Sequence, residues 1–324
     1  MMKAPKLAEA GLCDDYAIAL SKFRFALDER HVSQYTVNAY IEGARRFVQF
    51  LEHDMGLTVE LDKVTREHAR EWLSSLRKAG NMPATVHARH QAARQLFKAA
   101  IADGDASSNP FDGLQLPQVE MKEVVILTPE EIQAMVAAAG RDRSKIWGVR
   151  DQAIIVSLYD AGLRSGELVK IRGDDIDWEA GAILIHGKGR MERWVGLGAT
   201  ALRALNRYLN ARKRYEVGKK WWQKEGGETT IWLSRRGGLL TTYGVSKALT
   251  RRAREAGIKK HVHPHMFRHS AATSLASDMP ESELRAHFGW SPTSPQVFRY
   301  TRTNLAQRAI ARHRRAAPGD RIRL

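Results

Sequence analysis

Residues 176–197 read Ile176-Asp-Trp178, then Ala182-Ile-Leu-Ile185, then Gly187-Lys188-Gly-Arg190, then Trp194-Val-Gly-Leu197. Short apolar runs rich in isoleucine, valine and tryptophan, bounded by glycine, are strand signals. They predict three short strands, with Gly187-Lys-Gly-Arg190 as a hairpin-like connection between the last two. The rest of the chain repeats its apolar residues mostly at helical spacing. The expected fold class is therefore mainly α (α+β): an all-helical N-terminal domain, then a mostly helical domain holding a small three-stranded antiparallel sheet.

Outward from the sheet, Asp151 to Tyr159 reads as a buried helix, Gly162 as a turn, and Ser165 as the cap of a short helix. Downstream, helices are expected at 199–215, 243–256, 267–277, 281–288 and 303–315. Thr128-Pro129-Glu130-Glu131 has the marks of a helix start: a Thr cap, proline at the first position and acids in the first turn. It opens the second domain, 128–324. Residues 118–127 read as a linker. Before them, 14–117 carries helical patterns at Tyr16, Leu20, Phe23 and Leu27, at Tyr40, Ala44, Phe47 and Leu51, at Ala69, Trp72 and Leu76, and at Val86, Ala93, Leu96 and Phe97. Ser33 and Thr65 are candidate caps, Gly80-Asn81-Met-Pro83 is a break, and Asn109-Pro110 is the exit.

Among 324 residues, 52 are Lys or Arg and 36 Asp or Glu, a formal net charge of +16, with a pI near 10.1. The cations recur in pairs along the chain, at Arg45-Arg46, Arg212-Lys213-Arg214, Lys219-Lys220, Arg235-Arg236, Arg251-Arg252, Lys259-Lys260 and Arg314-Arg315. That is what a surface facing a polyanionic duplex would need. The single cysteine, Cys13, excludes a disulfide framework within the chain and fits a reducing compartment. The first residues lack the apolar core of a signal peptide, and no run approaches the ~20 apolar residues that span a bilayer. A cytoplasmic, nucleoid-associated protein is expected.

The chemistry-bearing residues flank the sheet. Upstream stands Ala161-Gly-Leu-Arg164-Ser-Gly-Glu167-Leu. Downstream stand His265-Met-Phe-Arg268-His269-Ser, Phe288-Gly-Trp290-Ser and Val297-Phe-Arg-Tyr300-Thr-Arg. Arg164 and Arg268 offer two guanidinium forks for the non-bridging oxygens of a phosphodiester. Arg164 follows a turn at a helix start, where anions are favoured. His265 and Arg268, three apart, share a helix face. His265 can donate to a phosphoryl oxygen or accept a proton. Lys188 between glycines can reach a leaving oxygen as an acid, with Arg190 as the alternative. Trp290 has only a donor N–H, so it positions and does not shuttle protons. Tyr300 is a candidate nucleophile, with Tyr243 and Tyr215 weaker. Glu167 can orient Arg164 or Lys188 by an ion pair, and His269 is expected to support. His261-Val-His263-Pro-His265 also admits a zinc reading, though no fourth ligand is evident.

At these residues the chain resembles the tyrosine recombinase (phage integrase) family, in a compact two-domain form. The resemblance extends to the helical domain, through Ser33-x-x-Thr36-x-x-x-Tyr40 and the Asn109-Pro110 exit. The distance from Trp290 to Tyr300 is one position longer than in Xer-type members. The resemblance implies catalytic roles for Arg164, Lys188 on the hairpin, His265, Arg268, Trp290 and Tyr300, supported by Glu167 and His269. It implies no metal, no cofactor and no ATP. It further implies a clamp on double-stranded DNA at a specific crossover site, a 3′-phosphotyrosyl intermediate, and a homotetramer passing through a Holliday junction, with possible accessory proteins. The tail helix, with Leu305, Ala306, Ala309 and Ile310 on one face, would dock on a neighbouring protomer. A type IB topoisomerase, a non-enzymatic DNA-binding relative and a metal-dependent nuclease are the rival readings.

Overall fold

In the computed structural model the chain forms two compact units, Met1–Lys122 and Glu123–Leu324. The structure describes residues 12–58, 60–118, 124–187, 191–216, 230–236, 238–300, 309–310, 313–315 and 317–321.

The first unit is built from α1 (Asp14–Glu29), α2 (Gln34–Gln49), α3 (Arg66–Lys78) and α4 (Pro83–Ala102). The Ser33 hydroxyl accepts from the Thr36 amide. Thr65 closes a reciprocal box with His68, and Pro83 takes the first position of α4. These contacts satisfy amides that a helix start leaves unpaired. One feature escapes the helical periodicity: α2 runs into a π-helical turn, Phe50–Asp54. The core centres on Phe47, whose ring meets Trp72 at 4.9 Å, Phe111 at 5.0 Å and Phe97 at 6.1 Å between centroids. Tilted and edge-on contacts of this kind suit aromatic quadrupoles. Phe111 belongs to the expected exit segment, which therefore plugs the helical core. Asn109 Oδ1 accepts the Phe111 amide at 3.1 Å to fix it there.

The second unit contains α5 (Pro129–Gly140), α6 (Lys145–Ala161), α7 (Ser165–Leu168), β1 (Ile176–Asp177), β2 (Ala182–His186), β3 (Glu192–Gly196), α8 (Ala199–Glu216), α9 (Thr242–Glu255), α10 (Pro264–Leu275) and α11 (Glu281–Phe288). The sheet is antiparallel in the order β1-β2-β3, with Ile183 opposite Val195 and Leu184 opposite Trp194. Helix α6 is the central post. Its Ile154, Ile155 and Leu158 are fully buried, and it packs against α5, α8 and α10. It starts six residues before the expected Asp151, because Ile146 and Trp147 also face the core. Thr128 and Glu131 form the reciprocal cap of α5. Just before it, Leu127 is buried and its amide donates to Ser270 Oγ at 2.8 Å.

Three further differences from expectation bear on the site. Helix α10 begins at Pro264, not 267, so His265 lies in its first turn. Strand β3 begins at Glu192, not Trp194, pairing with the whole of β2. The cap of α7 is Arg164, not Ser165: the Glu167 carboxylate reaches back to the Arg164 amide at 2.9 Å.

The cation pairs are not all surface. Arg252 is 2% exposed, and its guanidinium binds Asp151, Asp142 and Glu255. Buried Asp151 also accepts from Arg150 and Arg251. Burial would raise the Asp142 carboxyl, yet hydrogen bonds from Arg252 and Ser144, with the Arg235 charge, bring it down to about 2. These arginines tie α6, α9 and neighbouring loops together, and buried Arg150 and Arg252 are thereby removed from any nucleic-acid surface. Of the expected tail helix, Leu305 and Ala306 lie outside the described residues, while Ile310 is exposed. Among the described residues no helix is long and apolar enough to cross a membrane.

Candidate active site

Three chain reversals carry the site. Helix α6 ends at Gly162, whose φ of +61° is left-handed, and the chain turns so that Arg164 caps α7. Helix α10 then presents His265, Arg268 and His269 at three- and four-residue spacing, on one face. Helix α11 ends at Gly289, with φ +60°, and delivers Trp290. Residues 291–295 turn, and a helical turn at 296–300 brings Tyr300 back. Arg164, His265, Arg268, His269, Trp290 and Tyr300 line one open cleft.

Arg268 is 5% exposed. Its Nη1 donates to the Gly162 carbonyl at 2.9 Å and its Nη2 to the Phe288 carbonyl at 2.6 Å. One arginine thus bridges the ends of α6 and α11. Its guanidinium carbon lies 4.9 Å from the Phe288 ring centroid and 5.8 Å from that of Trp290. Burial, then the Arg164 charge, lower its pKa to about 9, so it stays cationic at neutral pH. Arg164 donates from Nη1 to Glu167 Oε1 at 2.8 Å, and its side chain is part-exposed at the cleft. The two guanidinium groups face the same space, where an anion would relieve their repulsion.

Tyr300 is 4% exposed. Its ring stacks on Trp290 at 5.5 Å, 3° from parallel, and Trp290 stacks on Phe288 at 4.7 Å. The Tyr300 hydroxyl is hydrogen-bonded to His269 Nδ1. Burial raises the phenol, opposed by the Arg268 and Arg299 charges. His269 is driven the other way, to about 4, by burial and the charges of His265, Arg299, His263 and Arg268. The pKa of His265 is also lowered, by burial first and by Arg268 and Arg164 next. The His269 imidazole is therefore neutral at pH 7.

A seventh residue, Arg193 on β3, was missed in the sequence. Its two Nη atoms grip Glu167 at 3.1 and 3.0 Å, and its Nε donates to the His287 carbonyl at 2.9 Å. Burial would raise the Glu167 carboxyl, but the bonds from Arg193 and from the Arg164 amide hold it below the usual range. The signal was present: with β3 begun at Glu192, Arg193 falls on the same face as buried Val195. We expect Arg193→Ala to slow DNA cleavage by on the order of 10²-fold, the scale of a displaced reacting group. DNA binding should be retained. Single-turnover rates of Arg193→Ala, Glu167→Gln and the double variant check this: no added loss in the double places both residues in one chain of contacts.

Gly162 is equally constrained. A Cβ there would stand 2.5 Å from the Phe288 ring and 3.1 Å from Ala271 Cβ, at a backbone angle that disfavours side chains. Gly162→Ala should cost about 2–4 kcal/mol, from left-handed strain plus overpacking. Thermal unfolding would show it as a melting temperature several degrees lower.

The weaker tyrosine candidates stand elsewhere: Tyr243 is exposed on α9, and Tyr215 packs on Trp147. Lys188 and Arg190 lie outside the described residues, between β2 and β3. The His261, His263 and His265 rings follow one another at 6.2 and 6.5 Å between centroids. Among the described residues, no three His, Cys, Asp or Glu side chains cluster as a metal site would require.

The phage integrase family model matches residues 126–307, and the phage integrase N-terminal SAM-like domain matches residues 21–104. The chain belongs to the phage integrase family, and it is a tyrosine recombinase. Tyrosine recombinase XerC of Oceanobacillus iheyensis is 32% identical over 294 residues, covering 89% of this chain and 93% of that protein. Tyrosine recombinase XerD of Listeria innocua is 31% identical over 286 residues, covering 87% and 92%. Among solved structures, the Tn1549 transposon integrase in complex with transposon right end DNA has a TM-score of 0.70 at 21% identity, covering 92% of this chain and 99% of that one. A lambda integrase tetramer bound to a Holliday junction has a TM-score of 0.63 at 19% identity, covering 86% and 78%. These likenesses are of fold.

Proposed function

We propose that this tyrosine recombinase is site-specific and acts on double-stranded DNA, with Tyr300 as its nucleophile. The observation that carries the assignment is the cleft that Arg164, His265, Arg268 and Trp290 line together with Tyr300. The scissile phosphate sits between Arg164 and Arg268, which bind its non-bridging oxygens as charge builds on them. His265 donates to the same phosphoryl group. Trp290 holds the tyrosine ring by stacking. Lys188 protonates the leaving 5′ oxygen.

Attack gives a 3′-phosphotyrosyl bond and a free 5′ hydroxyl. The bond energy stays in the covalent link, so ATP is not required, and the cationic donors take the role a metal would play. A 5′ hydroxyl from a partner duplex reverses the step. Four protomers on two sites exchange strands through a Holliday junction, the C-terminal tail docking between protomers. The duplex substrate and the reduced state expected of Cys13 support a cytoplasmic reaction, on nucleoid DNA.

The test uses a plasmid carrying two copies of a site that the protein itself selects from a random-sequence pool. Resolution into two circles in the presence of chelator is the expected outcome. Relaxation of a plasmid lacking the sites, with no resolution, would indicate a topoisomerase instead. Binding without any strand transfer would overturn the proposal.

A further inference from the structure

We propose that His269 is the proton acceptor for Tyr300: Nδ1 takes the phenolic proton as Oη bonds to phosphorus, and returns it when that bond breaks. The inference rests on Tyr300 being the nucleophile, and assigns a residue that the sequence placed only in support. Three observations carry it.

The first is contact. The Tyr300 hydroxyl and His269 Nδ1 are hydrogen-bonded, and the two rings lie 5.8 Å apart between centroids. His269 therefore touches the nucleophile, while the charges that act on His265 are those of Arg268 and Arg164. The second is restraint. Tyr300 is clamped by its stack on Trp290. The His269 backbone carbonyl accepts from Thr273 Oγ1 at 2.9 Å, in the middle of α10. Neither partner has to move for the proton to pass. The third is charge. His269 lies within reach of the charges of His265, Arg299, His263 and Arg268 and against Tyr300 of the 296–300 turn. Burial first, then the neighbouring charges, keep the imidazole neutral, and in the proposed tautomer Nε2 carries the hydrogen so that Nδ1 accepts from the Tyr300 hydroxyl.

In the resting cleft the phenol and the imidazole are too far apart in basicity for transfer, so the tyrosine stays protonated until substrate arrives. A bound phosphodiester brings a negative charge beside His269 and raises its basicity. As the Oη–P bond forms, the Oη proton becomes strongly acidic and passes to Nδ1. The P–O5′ bond breaks, and O5′ takes its proton from the separate acid assigned to Lys188. In the reverse step the His269 imidazolium protonates the departing phenolate. One proton is taken and one is given, and no further reactant is needed.

The test is single-turnover adduct formation on a nicked suicide duplex bearing the selected site. Wild type, His269→Ala and His269→Asn are compared between pH 6.5 and 9.5, with DNA affinity measured alongside. Asparagine offers an acceptor near Nδ1 but does not take the proton. Both variants should bind DNA normally and form adduct about 10²-fold or more slowly at pH 7.5, the scale of general base catalysis. The deficit should shrink as pH rises, and added imidazole should partly restore His269→Ala. A near-wild-type rate for His269→Asn would make His269 an orienting residue and overturn the proposal. An equal deficit at every pH with no imidazole rescue would do the same. No adduct even from wild type, on DNA it binds, would instead remove Tyr300 as nucleophile, and this inference with it.

Discussion

Tyr300→Phe is expected to abolish covalent attachment to DNA, by at least ~10⁴-fold, the scale seen when a nucleophile is removed, and to leave DNA affinity within a few-fold of wild type. The separation of the two effects follows from the geometry. The Tyr300 ring is held by its stack on Trp290, and phenylalanine keeps that stack. The oxygen makes one hydrogen bond, to His269, so its removal leaves the cleft walls in place. Arg164 and Arg268, in their proposed role, would still bind the phosphate, and site recognition should be kept. Adduct yield on a suicide duplex, set against binding by gel shift, reads both quantities. A Tyr300→Phe protein that still forms adduct would redirect attention to another nucleophile.

Arg268→Lys is expected to be nearly as damaging, for a different reason. Lysine keeps the charge but loses the planar fork. The arginine does three jobs at once: it caps the Gly162 carbonyl, caps the Phe288 carbonyl and lines the cleft. A single ammonium reaches at most some of these. Loss of one preorganised donor costs roughly 10²–10³ in rate, and a carbonyl left unpaired in the interior costs about 1–3 kcal/mol. Arg268→Lys should therefore lose cleavage by about 10²–10³-fold and melt several degrees lower. Arg164→Lys should lose a similar rate with a smaller stability change, because Arg164 is part-exposed and hydrogen-bonds Glu167, not backbone carbonyls. Comparing the two variants separates the catalytic part of the Arg268 effect from its structural part.

Much of the site was legible because its chemistry demands scarce residue types in marked places. Arg164 follows a glycine turn, His265 and Arg268 share a helix face, and Tyr300 follows the Gly289-Trp290 break. Helix starts were equally legible at Ser33, Thr65 and Thr128, where side chain and backbone pair locally. What stayed hidden depends on contacts between distant segments. Arg193 reads as one more cation just before the expected strand, until β3 pairs with β2 from Glu192 onwards and turns it towards Glu167. Arg251-Arg252 reads as surface charge, until α9 packs against α6 and buries Arg252 on Asp151. The Tyr300–His269 contact joins α10 to a turn 31 positions later, and no local pattern announces it. The Arg164 cap was misplaced by one residue because a carboxylate reaching backwards can replace the hydroxyl that normally marks a cap.

The most direct measurement is peptide mapping of the trapped adduct. Wild-type protein is reacted with the nicked suicide duplex in chelator, digested with nuclease and protease, and analysed by mass spectrometry. A nucleotide phosphate carried on the peptide containing Tyr300, with the DNA attached through its 3′ end, is the expected result. A phosphate on any other residue, or DNA attached through its 5′ end, would contradict the assignment of this cleft.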